Sequence, residues 1–144
     1  MDELGFDFNH ALEWFEHQQS QPFTLVRLTV KQVDQLISAT SFAVRRCYIT
    51  DQTLTNSSAA SGLSVLQVLA SRLPDPGSTM AGDFGEILGY FYQSTQALPK
   101  FAIGTKKWRL KQDRTKPAPK SDVVHFVMPN RPHASSEETI LCAE

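Results

Sequence analysis

The sequence is poor in the residues on which several kinds of chemistry depend. Its 144 residues include two cysteines, Cys47 and Cys142, and these form neither a Cys-x-x-Cys pair nor a metal-ligand spacing. Each lies in an apolar run, so both are expected to be reduced core thiols of an intracellular protein. No apolar run nears the ~20 residues that span a bilayer. Residues 1–8 are too acidic and mixed for a secretory leader. The expectation is a cytoplasmic protein with no membrane partner. An excess of one charge is missing too: the net charge is -1. That excludes a whole-molecule electrostatic grip on nucleic acid but leaves room for a local basic strip. There is no P-loop, no dinucleotide-binding glycine fingerprint, no Gly-x-Ser-x-Gly elbow and no His-Glu-x-x-His. Kinase, serine-hydrolase and zincin chemistry therefore have no sequence support.

What is present suits a globular chain. Hydrophobic residues make up 41% and charged residues 20%, and a domain of ~150 residues buries roughly 68–70% of its unfolded surface. Residues 8–19 predict a helix, with Leu12 and Phe15 at helical spacing and Asn9 as N-cap. His10, Glu13 and His17 share one face of that helix, where a solvated face outweighs a ligand set. Residues 23–30 alternate as a strand, 31–39 suggest a short helix, and 41–49 return to strand. Arg45 and Arg46 on the latter are expected as solvated edge charges. Residues 51–61 are small and polar and predict a loop. Leu63, Leu66, Leu69 and Leu73 form the stripe of a helix over 63–73. Pro74-Asp75-Pro76-Gly77 breaks it, and Ser78 or Thr79 is expected to cap the next helix, which runs to about Gln96 ahead of Pro99.

That helix carries residues 82–92, Gly-Asp-Phe-Gly-Glu-Ile-Leu-Gly-Tyr-Phe-Tyr. Gly82, Gly85 and Gly89 recur at helical spacing, at a cost of about 1 kcal/mol each relative to alanine. The expectation is a face that a sheet, a nucleic-acid backbone or another helix approaches closely. Residues 101–111 alternate as a strand with Lys107, Arg109 and Lys111 on one face and Lys106 opposite. These three, with Lys120 in the following loop, are the candidates for phosphate contacts. Residues 121–128 form a strand opening with Asp122, and 139–144 form one ending in Glu144. His125 is expected to be a packed or edge imidazole rather than a ligand.

Singly, each acid has a plain explanation: a solvated helix residue, a strand-start residue, a terminal residue. In order they form a set, with Glu86 on a helix and Asp122 and Glu144 at the mouths of two strands. Hard cations such as Mg²⁺ take one or two carboxylates plus water and substrate phosphate.

This order resembles the PD-(D/E)xK nuclease superfamily. Glu86 matches the helix acid, Asp122 the strand aspartate and Glu144 the glutamate of Glu-x-Lys. Residues 82–88, Leu98-Pro99-Lys100 and residues 121–126 are similar to one branch, the nuclease subunit of Hachiman-type antiphage defence systems. The resemblance covers about residues 80–144. Ser121 stands where a proline is usual. The Glu-x-Lys lysine is absent because the chain ends, which gives the expectation of a truncated form inactive alone. The resemblance implies, over 78–144, the first helix and antiparallel strands of a restriction-endonuclease-like core, incomplete at its C-terminus; with the mixed helix and strand region read from the residues over 1–77, the expected fold is α+β. It implies hydrolysis of phosphodiesters, DNA ahead of RNA, with Mg²⁺ or Mn²⁺ on Asp122 and Glu144 and with Glu86 orienting water or acting as an outer ligand. It also implies a helicase partner. The competing readings are a non-catalytic nucleic-acid- or protein-binding module of a defence complex, and a structural subunit that pairs through its last strand.

Overall fold

The computed structural model describes residues 3–29, 33–118 and 123–143, except for the side chains of Phe23 and Thr24. The helices are α1 (Phe8–Ala11), α2 (Val33–Tyr48), α3 (Asp51–Ser61), α4 (Val65–Arg72) and α5 (Ser78–Ala97). The strands are β1 (Phe15–Ser20), β2 (Phe23–Leu28), β3 (Ala102–Gly104), β4 (Val123–Val127) and β5 (Thr139–Ala143). Two 3₁₀ turns, Leu12–Trp14 and Lys107–Leu110, complete the α+β fold. β1 and β2 form an antiparallel hairpin, and β3-β4-β5 form an antiparallel sheet in that order.

Packing decides several elements against local pattern. The helix expected over 8–19 stops after one turn, capped by Asp7, whose carboxylate accepts from Asn9 N at 3.0 Å. Phe15 onward pairs with β2 instead, so His10, Glu13 and His17 fall on a helix, a 3₁₀ turn and a strand and share no face. The helix and strand expected over 31–49 are one helix, α2. Its buried residues Thr40, Ala43 and Cys47 keep helical spacing, and that burial outweighs the strand preference of the 42–49 segment. Arg45 and Arg46 consequently lie near its end and both pair with Asp51.

The expected loop over 51–61 is α3. Thr50 accepts from Thr53 N at 3.1 Å, and Gly62 ends the helix in the left-handed region at φ 69°. Its one buried residue, Leu54, is too little to show as an apolar stripe. α4 begins with a capping box between Ser64 and Gln67, within the expected helix. α5 starts after Gly77 without a side-chain cap; Thr79 Oγ1 donates to Thr115 O instead.

The buried cluster joins Leu4, Phe6, Ala11, Ala43, Cys47 and Tyr48 to Ile87, Tyr90, Phe91, Trp108 and Val123. It thus draws on both sides of the 77/78 division. α5 buries a stripe through Asp83, Ile87, Tyr90, Phe91 and Ser94. The glycines lie off this stripe: among the described residues a methyl group at Gly82, Gly85 or Gly89 would meet nothing within 4 Å. The close approach expected at those positions is not made by any described residue.

β4 turns Val123, His125 and Val127 inward, while Val124 and Phe126 are less buried. In β5, Leu141 and Ala143 are half-buried, whereas Thr139, Ile140 and Cys142 are exposed. Cys142 pairs with Val124 and is exposed, so it is not the core thiol expected, whereas Cys47 is fully buried. The basic strand expected over 101–111 ends at Gly104, and Lys107–Leu110 coils as a 3₁₀ turn.

Candidate functional site

The described part of the candidate site lies on the N-terminal half of α5 and on the 107–111 turn. α5 presents two acids three residues apart, Asp83 and Glu86, and the turn presents two lysines four residues apart. They meet pairwise. Lys107 Nζ lies 3.0 Å from Glu86 Oε2, and Lys111 Nζ lies 2.6 Å from Asp83 Oδ2. A strand would have put Lys107, Arg109 and Lys111 together. The helical turn instead sends Lys107 and Lys111 to α5 and Arg109 elsewhere.

The two pairs differ in environment. Asp83 and Lys111 have side chains 2% and 3% exposed, and Tyr48 OH donates to the same carboxylate oxygen at 3.2 Å. Burial, and then the adjacent Asp83 carboxylate, raise the pKa of Tyr48 well above the usual phenol range, so it stays a donor. Glu86 is 40% exposed, yet its Oε2 is buried. The Lys107 ammonium reaches it by distance, but not at a hydrogen-bonding angle, and no other donor among the described residues does. We regard the contact as a charge pair that leaves this oxygen's lone pairs unfilled.

The turn is anchored between the lysines. Trp108 is buried and meets Tyr90 edge-on at 6.1 Å. Arg109 donates twice to Arg46 O, at 3.1 and 2.8 Å, near the end of α2, and pairs with Glu3 at 3.2 Å. Burial alone would raise the Glu3 carboxyl, but Lys106 and Arg109 outweigh it and hold the pKa below the usual value.

Further along α5, His125 of β4 is enclosed, with Nδ1 2.8 Å from Gln93 Oε1 and Nε2 2.8 Å from Ser94 Oγ. Burial, and then the nearby Lys106 charge, bring its pKa down to about 4, so the imidazole is neutral near pH 7. It is packed, the first of the two places that the sequence implied. Gly104 lies beside it: a Cβ there would stand 2.2 Å from Tyr90 Cε2 and 2.6 Å from His125 Nε2.

Asp122, Glu144 and Lys120 lie outside the described residues. Their chain neighbours are placed: Val123 and Ala143 are cross-strand partners. Val123 and Ile87, the residue after Glu86, belong to the same buried cluster. Among the described residues no group of three or more His, Cys, Asp or Glu side chains could hold a metal ion. Sequence reasoning missed Asp83 and Tyr48 and the inward duty of Lys111. The available signal was the complementary spacing of the acids at 83 and 86 with the lysines at 107 and 111.

Among the described residues no helix is long and apolar enough to cross a membrane. No curated protein and no solved structure matches the chain. The family model HamA matches residues 6–144, nearly the whole sequence. The chain therefore belongs to the HamA family and has a role in Hachiman antiphage defence.

Proposed function

We propose that this chain is the nuclease component of its defence complex, hydrolysing phosphodiesters, DNA ahead of RNA, at a Mg²⁺ or Mn²⁺ site built from Glu86, Asp122 and Glu144. The observation that carries the reading is the Glu86 carboxylate, whose buried Oε2 is met among the described residues by the Lys107 ammonium, 3.0 Å away and outside hydrogen-bonding angle. Such an oxygen fits a hard cation, which takes carboxylate ligands. The other two acids adjoin in sequence a pair of residues that sit side by side on β4 and β5. Two strand mouths of one sheet are a rigid mount for a shared ligand set.

When bound, the ion would lower the pKa of its water and neutralise charge on the phosphate. Asp122 and Glu144 would hold it, and Glu86 would orient the attacking water or complete the outer ligand set. Lys107, beside Glu86, is the cation best placed to meet a phosphate oxygen. Lys111 and Arg109 already serve Asp83 and the end of α2, so docking on a continuous basic face has less support than the nuclease reading. A helicase partner would deliver the nucleic acid.

The test is cleavage of labelled DNA by the protein in its defence complex. Mg²⁺-dependent cleavage abolished by Asp122→Ala and by Glu144→Ala is expected. Cleavage that survives both substitutions overturns the assignment.

A further inference from the structure

We propose that the outer face of the β3-β4-β5 sheet is the contact surface between two copies of this chain. This face shares no residue with the metal site proposed above.

The inner face of the sheet is occupied, with His125 bonded to Gln93 and Ser94 of α5. The outer face lies open among the described residues. Ile103, Phe126 and Ile140 are neighbours across β3, β4 and β5, and they are 40%, 41% and 61% exposed. With Met128 and Glu138 they line one groove of about 360 Å³. Large apolar side chains gathered on one face mark an interaction surface, whereas single exposed ones are ordinary.

A second copy fits because the face is complementary to itself. One row nearer the β4–β5 connection, Met128 N donates to Phe101 O at 2.8 Å. Thr139 pairs with Val127, so Glu138 comes level with Met128 on the other side. Alternation puts Phe101 and Glu138 on the face of Ile103 and Ile140. The Arg131 guanidinium stands 4.6 Å from the Phe101 ring centre, and the Glu138 carboxylate accepts from Ser135 N at 3.2 Å. The β3 side of the groove thus carries a cation and the β5 side an anion. Among the described residues neither is in an ion pair. A twofold axis along β4 keeps height along the strands and exchanges the two sides. It sets Phe126 on Phe126 of the second copy, Ile103 on its Ile140 and Arg131 on its Glu138, in an isologous contact made twice over. Stacked sheets meet face to face in this way about 10 Å apart, and the two α5 helices form the outer layers. Nucleic acid fits the groove less well, because Glu138 would face its phosphates.

The test is sedimentation velocity of the full chain over a range of concentrations. A monomer–dimer equilibrium with a micromolar or tighter Kd is expected. Arg131→Glu and Glu138→Arg each oppose like charges at both symmetric contacts, so each should raise Kd by at least about tenfold. The double variant re-pairs the charges and should return to within about threefold of wild type. Phe126→Glu should leave the chain monomeric, with thermal unfolding as the check that it is folded; Ile140→Lys, at the most exposed of the three positions, is the second variant. A wild type that stays monomeric at every concentration overturns the proposal and leaves the face to a different protein or to nucleic acid. A dimer that the single charge reversals do not weaken, as pairing along the edge of β5 would give, overturns it, and so does a double variant that stays as weak as the single ones.

Discussion

Lys111→Met tests the buried half of the charge network. Lys111 Nζ is 2.6 Å from Asp83 Oδ2, and both side chains are almost fully enclosed. Removing the lysine leaves Asp83 with the Tyr48 hydroxyl as its one remaining side-chain donor among the described residues. Breaking a buried pair from one side costs about 3–5 kcal/mol, because the surviving charge is left buried without its counter-charge. Against a total stability of roughly 5–15 kcal/mol, that is a large share. Urea unfolding followed by tryptophan fluorescence reads it directly. With a slope of about 2 kcal/mol per molar, the middle of the usual range, the midpoint should fall by roughly 1.5–2.5 M. The matching control removes the whole network: Lys111→Met with Asp83→Leu and Tyr48→Phe should recover most of the loss, since apolar replacement of a buried pair is often neutral or better. A Lys111→Met midpoint within about 0.3 M of wild type, at that slope, would refute the argument and mean that water reaches Asp83.

Other outcomes follow from single sites. Gly104→Ala should destabilise by about 1–3 kcal/mol, the usual range for overpacking, because the added methyl collides with Tyr90 and His125; thermal unfolding checks it. Gly85→Ala should raise stability by about 0.5–1 kcal/mol, since nothing described lies within 4 Å of the new methyl. If defence is lost while stability rises, that face of α5 docks a ligand. His125 has a folded pKa of about 4 against 6.5 ordinarily, so the unfolded chain takes up the proton first as pH falls. Its contribution is complete above about pH 6.5 and is lost between there and pH 4, by about 3 kcal/mol. A Leu substitution at His125 should flatten that limb of a stability–pH curve, and an unchanged limb would contradict the assignment. Thr50→Ala should cost about 1 kcal/mol by removing the α3 cap, read from the unfolding midpoint.

Where one signal dominated, the sequence was readable. α5 was legible from a proline break on each side and a long apolar stripe, and β4 and β5 from short β-branched runs. A packed or edge place for His125 followed from its position in such a run. α2 was hidden because Phe42–Val44 and Tyr48–Ile49 read locally as strand, while the burial of Thr40, Ala43 and Cys47 that makes it a helix is tertiary. α3 was hidden by composition: small polar residues between two good caps look like a loop unless the caps are read first. The basic segment misled most. Alternating charges predicted a strand, yet the partners that fix Lys107 and Lys111 are two acids on a helix about 25 residues earlier in the sequence. Charge complementarity at spacings of three and four could have suggested a helical turn; alternation alone could not. Glu86 was singled out by its order relative to Asp122 and Glu144; the burial of its Oε2 beside Lys107 was not legible in that order.

The most direct measurement is anomalous diffraction from crystals of the protein soaked in Mn²⁺. One strong peak is expected about 2.1–2.2 Å from carboxylate oxygens of Asp122 and Glu144, with Glu86 bonded to the ion or to one of its waters. A peak elsewhere, or Asp122 and Glu86 on opposite sides of β4, would contradict it.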